Sequence, residues 1–135
     1  MYSKILIAVD PEHPETGAEL LQAARALAAP DARIEALSVV QAVPTYIEIE
    51  IPEAIYAKSR KEVETKLERI LGDADDIDRR VGIGKPSSEI VSAQKEGGHD
   101  LIVLRSHNPS VKDILLGSTA GRVVRSAPCA VHVIR

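Results

Sequence analysis

Apolar residues fall along this chain in short continuous runs that alternate with helical stripes. Residues 5–9 (ILIAV), 34–40 (IEALSVV) and 101–104 (LIVL) are nearly uninterrupted apolar runs. Such runs are typical of parallel strands that are covered on both faces of a sheet. Residues 76–83 alternate between apolar and polar positions instead, which favours an edge strand. A final apolar run, Ala130–Ile134, predicts a short C-terminal strand.

Amphipathic segments fill the intervals between these runs. Apolar residues recur at helical spacing over residues 15–28, 52–71 and 86–96, and a shorter helical pattern follows Gly117. In the second of these segments charged positions such as Glu62 and Lys66 predict a solvated face. One stripe of that segment is expected to be core: Ile55, Val63, Leu67, Ile70 and Leu71.

The least regular segment is residues 41–52. It contains Pro44 and an alternating stretch, residues 47–51, which by period alone would be a strand. We interpret the segment as an excursion that leads into the second helix.

Five strands that alternate with four helices predict an α/β fold, a doubly wound five-stranded parallel sheet with helices on both faces. The expected strand order is 3-2-1-4-5, in one domain spanning residues 1–135. This order places a topological switch point between the carboxyl ends of the first and fourth strands, which is where such sheets bind ligands. Those ends carry residues 8–10 and residues 104–108.

Composition narrows the classes of function. The formal net charge is -3, and the chain has no Phe or Trp and only three Tyr, so a basic face and stacking platforms for nucleic acid are not expected. No apolar stretch approaches membrane-spanning length, and the N-terminus lacks the apolar region of a signal peptide. The single Cys129 cannot form an internal disulfide. We therefore expect a soluble cytoplasmic protein that binds neither nucleic acid nor membrane.

The strongest chemical signal follows the fourth strand. The apolar run stops at Arg105 and Ser106, and a loop leads to Gly117, Ser118 and Thr119, which open the last helix. A loop at the end of a buried strand, followed by a helix N-terminus with free N–H groups, predicts an anion site.

Other polar residues are interpreted as structural. His13 and His99 fall in predicted turns, His132 lies in an apolar strand, and Cys129 is expected to be a small buried apolar group. These residues form no cluster at metal-ligand spacing. The Gly-Ile-Gly-Lys-Pro stretch at residues 82–86 lacks the ending of a phosphate-binding Walker loop.

Three stretches carry a resemblance along essentially the whole chain: KILIAVD near the start, GKPSSEI after the third strand, and the tail from Asp100 to Arg135. They resemble single-domain members of the universal stress protein family. Many ATP-binding members of that family carry a loop of the form Gly-x2-Gly-x9-Gly-(Ser/Thr). Here Arg105 and Asn108 stand at the first two glycine positions, and the spacing to Gly117 is one residue shorter.

These departures leave two interpretations. One is that nucleotide binding has been lost, as in the family's non-binding branch. The other rests on the wording Ser106-His107-Asn108-Pro109, which resembles a branch with (Gly/Ala)-Ser-His-x-Pro and the same shorter loop. In that branch adenine nucleotide binding is the implied property, and we favour this second interpretation.

The resemblance implies a set of binding residues for ATP or AMP. Asp10 would serve a ribose hydroxyl or a magnesium-bound water, Val39 and Leu104 would line the adenine pocket, and the last helix start would hold phosphates. The full set is Ala8, Asp10, Val39, Leu104, Arg105, Ser106, His107, Asn108, Gly117, Ser118, Thr119 and Ala120.

Each polar member of this set has a structural alternative. Asp10 is equally suited to cap the turn that follows it, Ser118 to be a helix N-cap, and His107 to hold the loop backbone. The Arg105 guanidinium either turns away from the ligand or binds a phosphate bidentately.

The residues favour a stress-response or regulatory protein that holds ATP or AMP with little or no turnover. A weak ATPase or phosphotransferase is one alternative, because Asp10, His107 and Arg105 are the candidates for the groups that phosphoryl transfer needs. A dimeric interaction module without nucleotide is the other. An apolar edge strand such as Ala130–Ile134 needs covering, and both this need and the resemblance imply a homodimer through that strand.

Overall fold

A computed structural model describes residues 1–42, 51–106 and 116–135 of the chain. Its strands are β1 (Tyr2–Ala8), β2 (Ala28–Gln41), β3 (Ile77–Gly84), β4 (Leu101–Arg105) and β5 (Ala130–Ile134). Its α-helices are α1 (Gly17–Leu27), α2 (Glu53–Leu71), α3 (Pro86–Gly97) and α4 (Ser118–Ser126), and a 3-10 turn, Pro14–Thr16, precedes α1. The alternating stretch at residues 47–51 lies outside the described residues.

The five strands form one parallel sheet in the order β3-β2-β1-β4-β5. This confirms the strand order expected from the sequence. The central strand β1 pairs with β2 on one side and with β4 on the other, so Ala8 lies beside both Leu37 and Leu104. The carboxyl ends of β1 and β4 are therefore neighbours at one edge of the sheet.

Two apolar layers cover the sheet, one on each face. Ile5 and Ile7 of β1 point into the layer formed with α1 and α2, where Leu20 and Leu67 pack against them. Leu6 points into the opposite layer, with α3 and α4. All three β1 side chains are fully buried, and each such burial contributes about 1.5–3 kcal/mol to stability.

Three local expectations differ from the structure. Strand β2 begins at Ala28 rather than at residue 34. Ala28 pairs with Tyr2 before a register shift, and residues 28–33 have no continuous apolar run that would indicate a strand. Ile55 is 53% exposed, whereas the buried positions of α2 begin at Val63, so the first turn of α2 lies off the core. Cys129 is half-buried rather than buried.

The amino-terminal end of the sheet is held by Asp100. Its carboxylate accepts the backbone N–H groups of Ser3 and Lys4, each at 2.9 Å. Burial alone would raise the pKa of Asp100, but these backbone hydrogen bonds together lower it. Gly98, with φ +67°, ends α3 in the left-handed conformation that favours glycine, and the chain then enters β4.

No helix of the described ranges 1–42, 51–106 and 116–135 is both long enough and apolar enough to cross a membrane.

Candidate functional site

A cavity of about 640 Å³ opens where the carboxyl ends of β1 and β4 meet. Its apolar lining comes from the strand ends and from the inward faces of α2 and α3. These residues are Ala8, Val9, Leu37, Val39, Val40, Val63, Pro86, Ile90 and Leu104. The residues after β1 and the start of α4 supply a more polar part of the wall. The cavity therefore lies at the topological switch point of the sheet.

The structure brings together most of the site predicted from the sequence. Nine of the twelve residues line the cavity: Ala8, Asp10, Val39, Leu104, Arg105, Gly117, Ser118, Thr119 and Ala120. Ser106 lies at its edge, bonded to Gly117. His107 and Asn108 lie outside the described residues. The grouping is a fact of the fold, whereas the binding role of these residues remains a prediction.

Asp10 performs the structural role that was weighed for it. Its Oδ1 accepts the backbone N–H of Glu12 at 2.9 Å, and its carbonyl accepts the N–H of His13 at 3.0 Å. The side chain thus caps the turn that follows β1. This bond takes one of the two carboxylate oxygens, and the half-buried residue also lines the cavity. Turn capping and ligand contact are therefore compatible for Asp10.

Ser106 and Gly117 close the base of the loop between β4 and α4. The Ser106 Oγ accepts the N–H of Gly117 at 2.8 Å, and the Ser106 N–H donates to the carbonyl of Ile134 at 2.8 Å. Because Ser106 touches both the start of α4 and the end of β5, it fixes where α4 begins.

The helix α4 begins differently from one sequence expectation. Gly117 is the N-cap residue, so Ser118 is the first residue of the helix and not its cap. The first intrahelical bond runs from the N–H of Gly121 to the carbonyl of Gly117. The N–H groups of the first turn, which precede Gly121, have no acceptor within the helix. They belong to residues that line the cavity, which suits an anion.

The guanidinium of Arg105 is paired with a carboxylate of the protein. The guanidinium forms an ion pair with the carboxylate of Glu19, which lies in the first turn of α1. The described structure therefore pairs Arg105 within the protein, and the choice between turning away from a ligand and binding its phosphate stays a prediction. The residue still contributes to the cavity wall.

Helix α2 contributes a wall that the sequence reasoning missed. Ser59, Glu62, Val63 and Lys66 line the cavity. Glu62 and Lys66 are exposed, as a solvated face requires, and they face the cavity as well. Their spacing of three, four and seven residues places them on one side of a helix, which is the signal that was available. Glu12 and His13, from the turn after β1, were also missed.

The described part of the cavity offers few protein ligands for a magnesium ion. Among the residues that the structure describes, no group of three or more His, Cys, Asp and Glu side chains is arranged to hold a metal ion. Asp10 is the carboxylate of the lining that the sequence predicts as a magnesium contact. Mg²⁺ commonly binds through one or two carboxylates together with phosphate oxygens of a ligand, and that arrangement is compatible with Asp10.

Comparisons with known proteins identify the family. The profile described as "Universal stress protein family" matches residues 1–135. Universal stress protein G of Shigella flexneri is 31% identical over 83 residues, which are 62% of this chain and 58% of that protein. The chain thus aligns with less than two-thirds of this curated relative's length.

Solved structures extend the similarity to almost the whole chain. A structure of the protein MJ0577, whose curated counterpart is from Methanocaldococcus jannaschii, has a TM-score of 0.81 at 26% identity and covers 99% of this chain and 96% of that one. A universal stress protein in complex with cAMP has a TM-score of 0.62 at 21% identity, over 99% and 97% of the two chains, and this similarity is one of fold. Because the family profile matches residues 1–135, this chain belongs to the universal stress protein family.

Proposed function

We propose that this protein binds an adenine nucleotide, AMP or ATP, in the cavity between β1 and β4, and acts as a stress-response or regulatory protein. The observation that carries the proposal is the cavity itself. It lies at the topological switch point and is lined by residues from both ends of the chain that the sequence predicts as binding residues. A volume of about 640 Å³ is in the range of small-molecule sites.

The lining divides into parts that suit the parts of a nucleotide. Val39 and Leu104 belong to an apolar wall that an adenine ring would contact. Asp10, at the end of β1, would accept a hydrogen bond from a ribose hydroxyl. The free N–H groups and hydroxyls of the first turn of α4, from Ser118 to Ala120, would hold phosphate oxygens.

The family supports an adenine nucleotide in general terms. A universal stress protein of this fold has been solved in complex with cAMP. Within the family we assign this chain to the branch with a Ser-His-x-Pro loop, on the residues Ser106 to Pro109 and the shortened spacing to Gly117. In this assignment Ser106 helps to form the site by fixing Gly117.

Little or no turnover is proposed. Phosphoryl transfer needs an in-line base or positioned water, a metal carboxylate and a cation on the transferring group. In the described part of the cavity Arg105 is already paired with Glu19, and one oxygen of Asp10 is bonded to a backbone N–H. When bound, magnesium would supply charge neutralisation at the phosphates, with Asp10 as its contact on this chain.

Isothermal titration with AMP and ATP, with and without magnesium, tests the proposal. We expect saturable binding of one nucleotide per chain, and phosphate release from ATP no faster than in a buffer blank. Binding accompanied by sustained phosphate release would indicate the alternative, a weak ATPase. Absence of binding under all conditions would contradict the proposed function and favour an interaction module without nucleotide.

We also propose a homodimer in which β5 pairs with β5 of a second copy. In the described sheet β5 is an edge strand that pairs with β4, and its residues Val131, Val133 and Ile134 are half-buried against the core. Covering this edge would satisfy its outward backbone groups. Sedimentation at micromolar concentration is expected to give a dimer, and a monomer would contradict the proposal.

A further inference from the structure

The described lining of the cavity carries both carboxylates and cations. Among the described residues, the carboxylates of Asp10, Glu12 and Glu62 line it, whereas the permanent cations are Lys66 and Arg105. Arg105 is in addition neutralised by Glu19, which is not itself part of the lining. Because Glu19 neutralises Arg105, the described wall attracts a phosphate group less strongly than two unpaired cations would.

We infer that Glu19 limits the phosphate charge that this site accepts, by holding the guanidinium of Arg105 in an ion pair. The inference rests on the proposed function and deepens it. Without a divalent cation the site prefers an adenine nucleotide with one phosphate, such as AMP, to the triphosphate ATP. Glu19 is a specificity-determining residue in this inference, and it acts through Arg105 without touching the ligand.

The position of the pair supports this role. Arg105 is the last residue of β4, directly before the loop that leads to α4, and Glu19 lies in the first turn of α1. Their side chains are 29% and 49% exposed, so the pair is partly open to water. Once Glu19 loses its charge, the guanidinium has no carboxylate partner in this pair and can bind a phosphate instead.

The size of the effect follows from the charges of the ligands. Near neutral pH AMP carries about two negative charges and ATP about four, so removing one carboxylate near the phosphates favours ATP about twice as much in free energy. A doubled change in free energy squares the factor by which the affinity rises. If the Glu19→Gln change raises AMP affinity about threefold, ATP affinity is therefore expected to rise about tenfold. Added salt reduces both changes.

Titration of AMP and ATP in EDTA at low salt tests the inference. Wild type is expected to bind AMP more tightly than ATP. Glu19→Gln should narrow this preference, and the double variant Glu19→Gln/Arg105→Ala should lose the gain in ATP affinity because the freed guanidinium is absent. Glu68→Gln makes the same charge change at an exposed position outside the cavity, and it should keep the wild-type ratio.

Several results would overturn the inference. The role of Glu19 is contradicted if wild type prefers ATP in EDTA. It is also contradicted if Glu19→Gln still binds AMP and keeps the wild-type ratio of AMP to ATP affinity. Both results leave the proposed function intact. Retention of the ATP gain in the double variant contradicts the route through Arg105. Absence of binding of AMP and ATP to wild type overturns the proposed function, and this inference with it.

Discussion

Single side chains at the strand ends serve the fold and the cavity together. Asp10 caps a turn and lines the cavity, and Ser106 joins the start of α4 to the end of β5. Arg105 ends β4 and pairs with α1. The structural and ligand-binding interpretations of such residues are therefore not exclusive, because the polar groups that shape a strand end also face the space above it.

Removal of the Ser106 hydroxyl is expected to destabilise the protein. The Ser106→Ala change leaves the partly buried N–H of Gly117 without its acceptor, at a cost of about 1 kcal/mol in the free energy of unfolding. Urea unfolding measures this change. Ser92→Ala, at an exposed position of α3, is the matched control and should stay within about 0.5 kcal/mol of wild type. Equal stabilities of Ser106→Ala and wild type would show that the bond contributes nothing.

Buried His99 predicts a dependence of stability on pH. Its side chain is 2% exposed, and neither ring nitrogen has a hydrogen-bond partner among the described residues. Burial lowers the pKa of His99 below its ordinary value of 6.5; the Lys4 charge lowers it further, whereas the Glu35 carboxylate and the nearby backbone at Gln94 and Ala93 oppose this lowering.

Because the folded pKa of His99 is depressed, the unfolded chain takes up a proton first as the solution is acidified. The stability linked to His99 is complete above pH 6.5 and falls as the pH drops below that value towards the folded pKa. Urea unfolding between pH 8 and 5 should show this loss in wild type, and His99→Gln should reduce it. An identical pH slope in His99→Gln and wild type would contradict the assignment.

At the scale of elements, prediction from sequence succeeded where one face of an element is buried along its length. The runs in β1 and β4 and the stripe of Val63, Leu67 and Leu71 in α2 carry a clear periodicity because the core repeats beneath them. Prediction from sequence failed where pairing with a neighbouring strand extends an element beyond its buried part. At the start of β2, Ala28 pairs with Tyr2, and no local pattern encodes that pairing.

Two glycines of the α4 region are expected to respond differently to substitution. A Cβ at Gly121 would meet the Cβ of Leu116 at 4.0 Å, an ordinary contact, so Gly121→Ala should stabilise the helix by about 0.5–1 kcal/mol. Gly117→Val places an isopropyl group on the cavity wall at the helix N-cap and should lower AMP affinity at least about tenfold.

Thermal unfolding and AMP titration of both variants measure these effects. Gly121→Ala serves as the binding control, because it changes α4 without adding bulk to the cavity wall. If Gly117→Val folds and keeps wild-type AMP affinity, the proposed phosphate contact at the start of α4 is wrong.

At the scale of the whole molecule, strand order positions the site. The order β3-β2-β1-β4-β5 brings Ala8 and Leu104 together although they are far apart in sequence. Sequence patterns give the elements, and the rule of short right-handed crossovers then restricts how they assemble. The wall from α2 was missed because sequence shows which face of a helix is polar but not what lies opposite that face. Lys66 and Glu62 are exposed, and only the structure shows that they also line the cavity.

The central claim is that the cavity at the ends of β1 and β4 holds an adenine nucleotide. Backbone amide chemical shifts, recorded by NMR while AMP is added, test it most directly because they report both binding and location. We expect saturable shifts concentrated at Ala8 to Asp10, at Val39 and at Gly117 to Ala120, with β5 little affected. Absence of shifts at millimolar AMP, or saturable shifts confined to surfaces away from this cavity, would contradict the claim.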